Sequence, residues 1–182
     1  MSAQIIELDL SETTIDKLKS FFNKCTNNKS LILNEMTSTQ GGLQTKNVLN
    51  LIDKSCLIEI SENIEKYINQ YYANNLEFYQ FFIDHVHLIA YTKNGYQIGH
   101  THHSFEDLSF IVYLNNSNAV TRIYSNENYK EIKSVQGKMV IFDASLYHEA
   151  SVTNNKRNVL VGSVKFLHKI WKKTDQSFYF IR

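Results

Sequence analysis

The chemistry this chain can offer is concentrated between Gly95 and Arg157. His100 and His102 stand at i and i+2 at the end of an alternating segment, GYQIGHTH. On a strand that spacing sends both imidazoles out of the same face. His148 follows a second apolar run, VIF, and Arg157 comes nine positions later. Two neighbouring imidazoles and a third from a distant strand occupy one side of a metal ion and leave the other positions open, as mononuclear iron requires for a cosubstrate and oxygen. Arg157 precedes the apolar run NVLVGSVKF, so it stands near the start of a strand. Its planar guanidinium grips a carboxylate through two parallel hydrogen bonds, and inside a barrel it needs such an anion to offset its desolvation. The layout predicts a mononuclear metal site inside a β-barrel or jelly roll.

The chain has seven histidines, and the others read differently. His85-Val86-His87 repeats the spacing without the residues that follow His102, and is read as sheet histidines on one face, packed or hydrogen-bonded. His103, next to His102, points to the opposite face of a regular strand and is expected to be exposed. His168 adjoins KIWKK, read as a solvated basic face with Trp171 tucked beneath it. Cys25 and Cys56 lack metal-ligand spacing and are read as reduced thiols, not a bridge.

The elements that must position these groups follow from periodicity. Residues 5–9, IIELD, read as a first edge strand, and Ser11 as the N-cap of a helix from about Glu12 to Asn23 with Ile15, Leu18 and Phe22 on one stripe. From Asn27 to Asn50 the chain is mostly polar around Gly41-Gly42, and is expected to be a long loop covering substrate. Leu57, Ile60, Ile64, Tyr67, Ile68 and Tyr71 then mark a strong helix over Ser55 to Asn74, laid across the outside of a sheet. After Asn75 the period changes to two and stays there, through EFYQFFIDHVHLIAYT, DLSFIVYLN, TRIYS, EIKSV, KMVIFDA, YHEASV, NVLVGSVKFL and SFYFIR. With no proline in the chain, the turns between these runs rest on Gly, Asn, Asp and Ser. The pattern predicts a mostly β (α+β) chain built on an antiparallel sandwich or barrel. No internal repeat or linker divides residues 1–182, so one domain is expected.

Composition narrows the partners. A net charge of +1, with basic and acidic residues nearly balanced, argues against a dedicated nucleic-acid or anionic-membrane binder. MSAQIIELDLSE has no basic or sustained apolar region of the signal-peptide kind, and no apolar run reaches the ~20 residues of a membrane helix. The expectation is a soluble, cytoplasmic protein that acts on a small molecule or a local peptide segment.

Read as AYTKNGYQIGHTH…LSFIVYLN…GKMVIFDASLYHEASVTNNKR, the stretch from about Leu88 to Phe166 resembles the 2-oxoglutarate- and Fe(II)-dependent dioxygenases, most of all their prolyl-hydroxylase-like branch. In that family a tyrosine strand leads to His-x-Asp or His-x-Glu. A Tyr-Leu-Asn strand, a glycine turn into an apolar strand, a distal histidine and an arginine some nine residues on follow. The resemblance implies a double-stranded β-helix (jelly roll) with N-terminal helices packed on one sheet. It implies Fe(II) as cofactor, 2-oxoglutarate as cosubstrate, O2, and hydroxylation of a small molecule, amino acid or peptide side chain. Matched by position, His100 and His148 are metal ligands, Arg157 and Tyr113 hold the far carboxylate of 2-oxoglutarate, and Tyr91 is a second cosubstrate-side tyrosine.

One position departs from the family. Where a carboxylate is usual this chain has His102, which makes the implied metal set His100, His102 and His148. The exchange removes a negative charge from around the metal and leaves it more electrophilic. Glu106 and Asp107 are acids close by, but neither has the strand-end i+2 placement. Two other readings stay open: a three-histidine iron dioxygenase that resembles the cupin-like thiol dioxygenases and uses no 2-oxoglutarate, and a non-catalytic jelly-roll binding protein.

Overall fold

Period-two alternation, sustained from Phe78 onward, turns most of the chain into one antiparallel sheet that curls on itself. The computed structural model describes residues 4–35, 38–72, 78–102, 106–125 and 128–168. In chain order the elements are β1 (Ile5–Asp9), α1 (Glu12–Thr26), β2 (Thr39–Gln44), α2 (Lys54–Tyr72), β3 (Phe78–His100), β4 (Leu108–Tyr113), β5 (Val120–Ser125), β6 (Asn128–Lys133), β7 (Lys138–Asp143), β8 (His148–Ala150) and β9 (Arg157–His168). The strands lie in the order β1-β7-β4-β9-β3-β8-β5-β6, with β2 on β3 off this path. β3 belongs to both halves of the curl. Its first part, to Tyr91, pairs with β9, and its end, from Gln97 to His100, pairs with β8. This is the mostly β jelly roll with two helices on one face that the resemblance implies.

Alternation gives the sheet two buried faces. Val86, Leu88, Leu108, Phe110, Val112, Leu160 and Val164 meet the stripes of α1 (Ile15, Leu18, Phe22) and α2 (Leu57, Ile60, Ile64, Tyr67) in one core. Their neighbours Ile89, Tyr91, Ile111, Tyr113, Val140, Phe142 and Val159 point the other way and form a second core with Ile123 and Ile132 across the curl. β4 is buried at every position because it feeds both cores. Ser11 caps α1 by accepting a bond from the Thr14 N–H at 3.3 Å. Cys25 and Cys56 are buried and free. Among the described residues no helix is long and apolar enough to cross a membrane.

The expected loop between Asn27 and Asn50 holds one six-residue strand, with irregular chain and short turns on either side of it. β2 pairs with β3 and breaks register at Gly41, whose φ of +63° is the left-handed conformation that glycine adopts without strain. Two glycines in a polar setting read as a loop because the apolar face of β2 is supplied by its partner and not by its own side chains. Ser38 and Gln44 from this segment do reach the cavity described below. The helices sit within a few residues of their expected bounds. The expected last strand, SFYFIR, and the KIWKK patch with Trp171 fall outside the described residues.

Gly42 opposes Tyr91 across the β2–β3 pair. A Cβ there would stand 2.5 Å from the Ala90 carbonyl oxygen and 3.1 Å from the Tyr91 Cα, both backbone atoms with nowhere to go. Gly42→Ala is therefore expected to destabilise the fold by about 1–3 kcal/mol, read from urea denaturation. An unchanged midpoint would mean that β2 is not seated on β3.

Candidate metal centre

The last residue of β3 and the first of β8 face each other directly: His100 pairs with His148, just past a register shift that begins at Gln97. His102 follows two residues later, held by its backbone N–H donating to the Ala144 carbonyl after β7 at 2.9 Å. One ring nitrogen or its counterpart from each of the three histidines lies within 4.8 Å of the others, and among the described residues this is the one group arranged to hold a metal. The ring centroids are 4.4, 4.7 and 5.2 Å apart. His148 is buried, and His100 and His102 are half-buried.

Hydrogen bonds select which nitrogens are free. His100 Nδ1 lies 2.8 Å from the Ile98 carbonyl and His148 Nδ1 lies 2.9 Å from the Leu146 carbonyl. A carbonyl can only accept, so both rings carry their proton on Nδ1 and leave the Nε2 lone pair for an ion. Burial, aided by the neighbouring His100, pushes His148 down to about 3 and His102 down to about 4. Both are neutral near pH 7, the form that binds metal.

The triad opens onto a cavity of about 500 Å³ that runs between the two halves of the curl. Strand register stacks the sheet's inward-facing residues in rows, most of which line this cavity. Ser109, Ser163 and His85 form one row, Ile111, Val161 and His87 the next, then Tyr113, Val159 and Ile89, and lastly Arg157 beside Tyr91. The first and last rows are roughly 20 Å apart along β9. Arg157 is 3% exposed. Its Nε donates to Ser134 Oγ at 2.9 Å and a terminal nitrogen donates to Thr121 Oγ1 at 2.7 Å. Tyr113, fully buried, shares that Thr121 hydroxyl at 2.7 Å. The rings of Tyr91 and Tyr113 lie 5.3 and 5.5 Å from the guanidinium carbon. Tyr91 itself donates to Gln97 at 2.6 Å. No described carboxylate comes within ion-pair distance of Arg157, so a buried cation rests on hydroxyls and aromatic faces alone. Such a group is costly without an anion, and a ligand carboxylate fits it.

The two nearby acids part company. Asp107 accepts the Phe166 N–H at 2.7 Å and is turned away from the triad. Glu106 stays close, with one carboxylate oxygen 3.6 Å from His102 Nδ1 and 3.5 Å from His85 Nε2. Burial and the charge of Asp84 push its carboxyl up to about 7. His85 and His87 are stacked with centroids 5.7 Å apart, and His85 is hydrogen-bonded to Ser163 at 2.8 Å, as sheet histidines on one face. Both also line the cavity, which spacing alone did not indicate. Thr121, Ser134 and Gln97 were equally invisible. The one sign of Thr121 is a hydroxyl at an inward position of TRIYS. His103 falls outside the described residues.

No protein-family model and no curated protein matches the sequence. Solved structures do match in fold. A Pseudomonas putida prolyl-4-hydroxylase superposes with a TM-score of 0.67 at 15% identity, over 90% of this chain and 92% of that one. A Trichoplax adhaerens prolyl hydroxylase, in complex with a hypoxia inducible factor oxygen degradation domain peptide fragment, gives 0.69 at 10% identity, over 95% and 88%. The viral collagen prolyl hydroxylase of Paramecium Bursaria Chlorella virus-1, in its 2-oxoglutarate complex, gives 0.64 at 13% identity, over 88% and 95%. The fold is that of the prolyl-hydroxylase-like 2-oxoglutarate/Fe(II) oxygenases.

The depressed histidines predict a pH dependence of the metal-free protein. His148 and His87 near 3 and His102 near 4 refuse protons that the unfolded chain takes up near the ordinary histidine value of about 6.5. Stability is therefore lost as pH falls below that value. Glu106, near 7 when folded, runs the other way, one proton against three. Urea denaturation of metal-free protein is expected to show falling stability between pH 7 and 5.5, above the range of ordinary carboxylates. A flat or rising profile would mean that the cavity histidines are solvated.

Proposed function

We propose that this chain is an Fe(II)- and 2-oxoglutarate-dependent oxygenase whose metal is held by three imidazoles. The observation that carries the reading is Arg157, buried with no acid within ion-pair distance among the described residues, in the same cavity as the triad. His100 and His148 present Nε2 to the ion because their Nδ1 protons are committed to backbone carbonyls, and His102 completes the set. Arg157 grips the far carboxylate of 2-oxoglutarate, with Thr121 and Tyr113 holding the guanidinium and offering hydroxyls beside it. Ile89, Ile111, Val159 and Val161 line the space between and keep it dry. Bound iron, with 2-oxoglutarate and O2, supplies the oxidising chemistry for attack on a substrate C–H bond, with hydroxylation the default outcome.

The substrate is a small molecule, an amino acid or a peptide side chain. Ser109 lines the cavity with a buried hydroxyl close to Glu106. It is a ready contact for a polar substrate group. The all-histidine set also favours a second reading, a cupin-like three-histidine dioxygenase in which substrate alone chelates iron.

Turnover with labelled 2-oxoglutarate and Fe(II) separates the two. Succinate formation is expected, while oxygen uptake without 2-oxoglutarate would support the second reading. His148→Ala is expected to abolish turnover while the fold persists. Arg157→Ala should raise the KM for 2-oxoglutarate by about 10- to 100-fold, the worth of hydrogen bonds to a charged group. An unchanged KM would remove Arg157 from the cosubstrate site.

A further inference from the structure

Three neutral imidazoles leave a divalent ion with none of the negative charge that a carboxylate ligand brings, and Arg157 adds a further positive charge to the same cavity. A compensating group among the described residues stands one shell out. The Glu106 side chain is 8% exposed, and one of its oxygens lies between His102 Nδ1 at 3.6 Å and His85 Nε2 at 3.5 Å. Its ion-pair partners among the described residues are these two imidazoles alone. Lys165, the neighbouring cation, is engaged by Asp84 at 3.1 Å.

The three rings of the triad thus share one plan. Behind Nδ1 of His100 and of His148 stands a backbone carbonyl. Behind Nδ1 of His102, the residue that occupies the acid's usual place, stands a carboxylate. Metal-bound histidines regularly donate their second N–H to such an oxygen, which fixes the ring and raises its basicity. Closing the 3.6 Å gap to hydrogen-bond length takes a shift of roughly 0.7 Å.

We infer that Glu106 is a positioning residue that restores, through the imidazole of His102, the negative charge missing from the metal's own ligands. It accepts the His102 Nδ1–H, aims Nε2 at the ion and lends that ring anionic character. His85 holds Glu106 in turn. It donates Nε2–H to the carboxylate and accepts the Ser163 hydroxyl at Nδ1, the pair lying 2.8 Å apart. The inference rests on the metal reading above, and it gives the His85-Val86-His87 pair a part in the centre.

Co(II) is a suitable probe, since its affinity and its visible absorption report the ligand field without turnover. Glu106→Gln keeps the size and removes the charge. It is expected to weaken Co(II) binding by about 10- to 100-fold and to shift the absorption bands, with the melting of the metal-free protein not lowered. In a His102→Asp background, where the charge is back on a ligand, the same substitution should cost less than about 3-fold, because the two changes address one deficit. Equal Co(II) affinity for wild type and Glu106→Gln would overturn the inference and leave the metal reading standing. An equal loss in both backgrounds would overturn it too, making Glu106 a residue of general structure. If the wild-type protein bound no Co(II), the metal reading itself would fall.

Discussion

A guanidinium buried without an acid beside it among the described residues is the constraint around which the rest of the structure is arranged. Arg157 is 3% exposed, and its bonds go to the hydroxyls of Ser134 and Thr121. Hydroxyls satisfy N–H donors but do not neutralise a charge, and aromatic faces do so weakly. The fold keeps this cation inside because the inner core closes around it from both halves of the curl. Tyr91 comes from β3, Tyr113 from β4 and Thr121 from β5. In the reading proposed above, an anion from outside would pair with this cation, with the apolar rows of the cavity between it and the triad.

The same strands that bury Arg157 bring His100 and His148 of the histidine triad together. β3 runs the length of the curl, so one strand places Tyr91 opposite Arg157 and His100 opposite His148. The chain turns within it at Asn94, with φ of 68°, an angle that asparagine tolerates better than most residues. The placement of Arg157, His100 and His148 is thereby set by strand register, and that of His102 by its backbone bond to Ala144.

Much of this was legible in the sequence, and the reasons differ by residue. His100 and His102 stood out because an alternating strand ends on them, and His148 and Arg157 because each borders an apolar run of period two. The helices followed from stripes such as Ile60, Ile64 and Tyr67. β2 was missed because its pairing with β3 is made by backbone around two glycines, which leaves no apolar pattern to read. Thr121 and Ser134 were hidden because a hydroxyl's role depends on what tertiary packing brings opposite it. Glu106 was weighed only as a ligand, since sequence spacing speaks to direct coordination and is silent about the atom behind a ring. His85 looked idle for the same reason. Its partner is 21 residues away in the chain and meets it only once the sheet has curled.

The most direct test of the account is a crystal structure of the protein grown anaerobically with Mn(II) in place of iron and with 2-oxoglutarate. One ion bonded to His100, His102 and His148, with the far carboxylate of 2-oxoglutarate on Arg157, is the predicted result. An ion bound elsewhere, or a 2-oxoglutarate that leaves Arg157 unpaired, would contradict it.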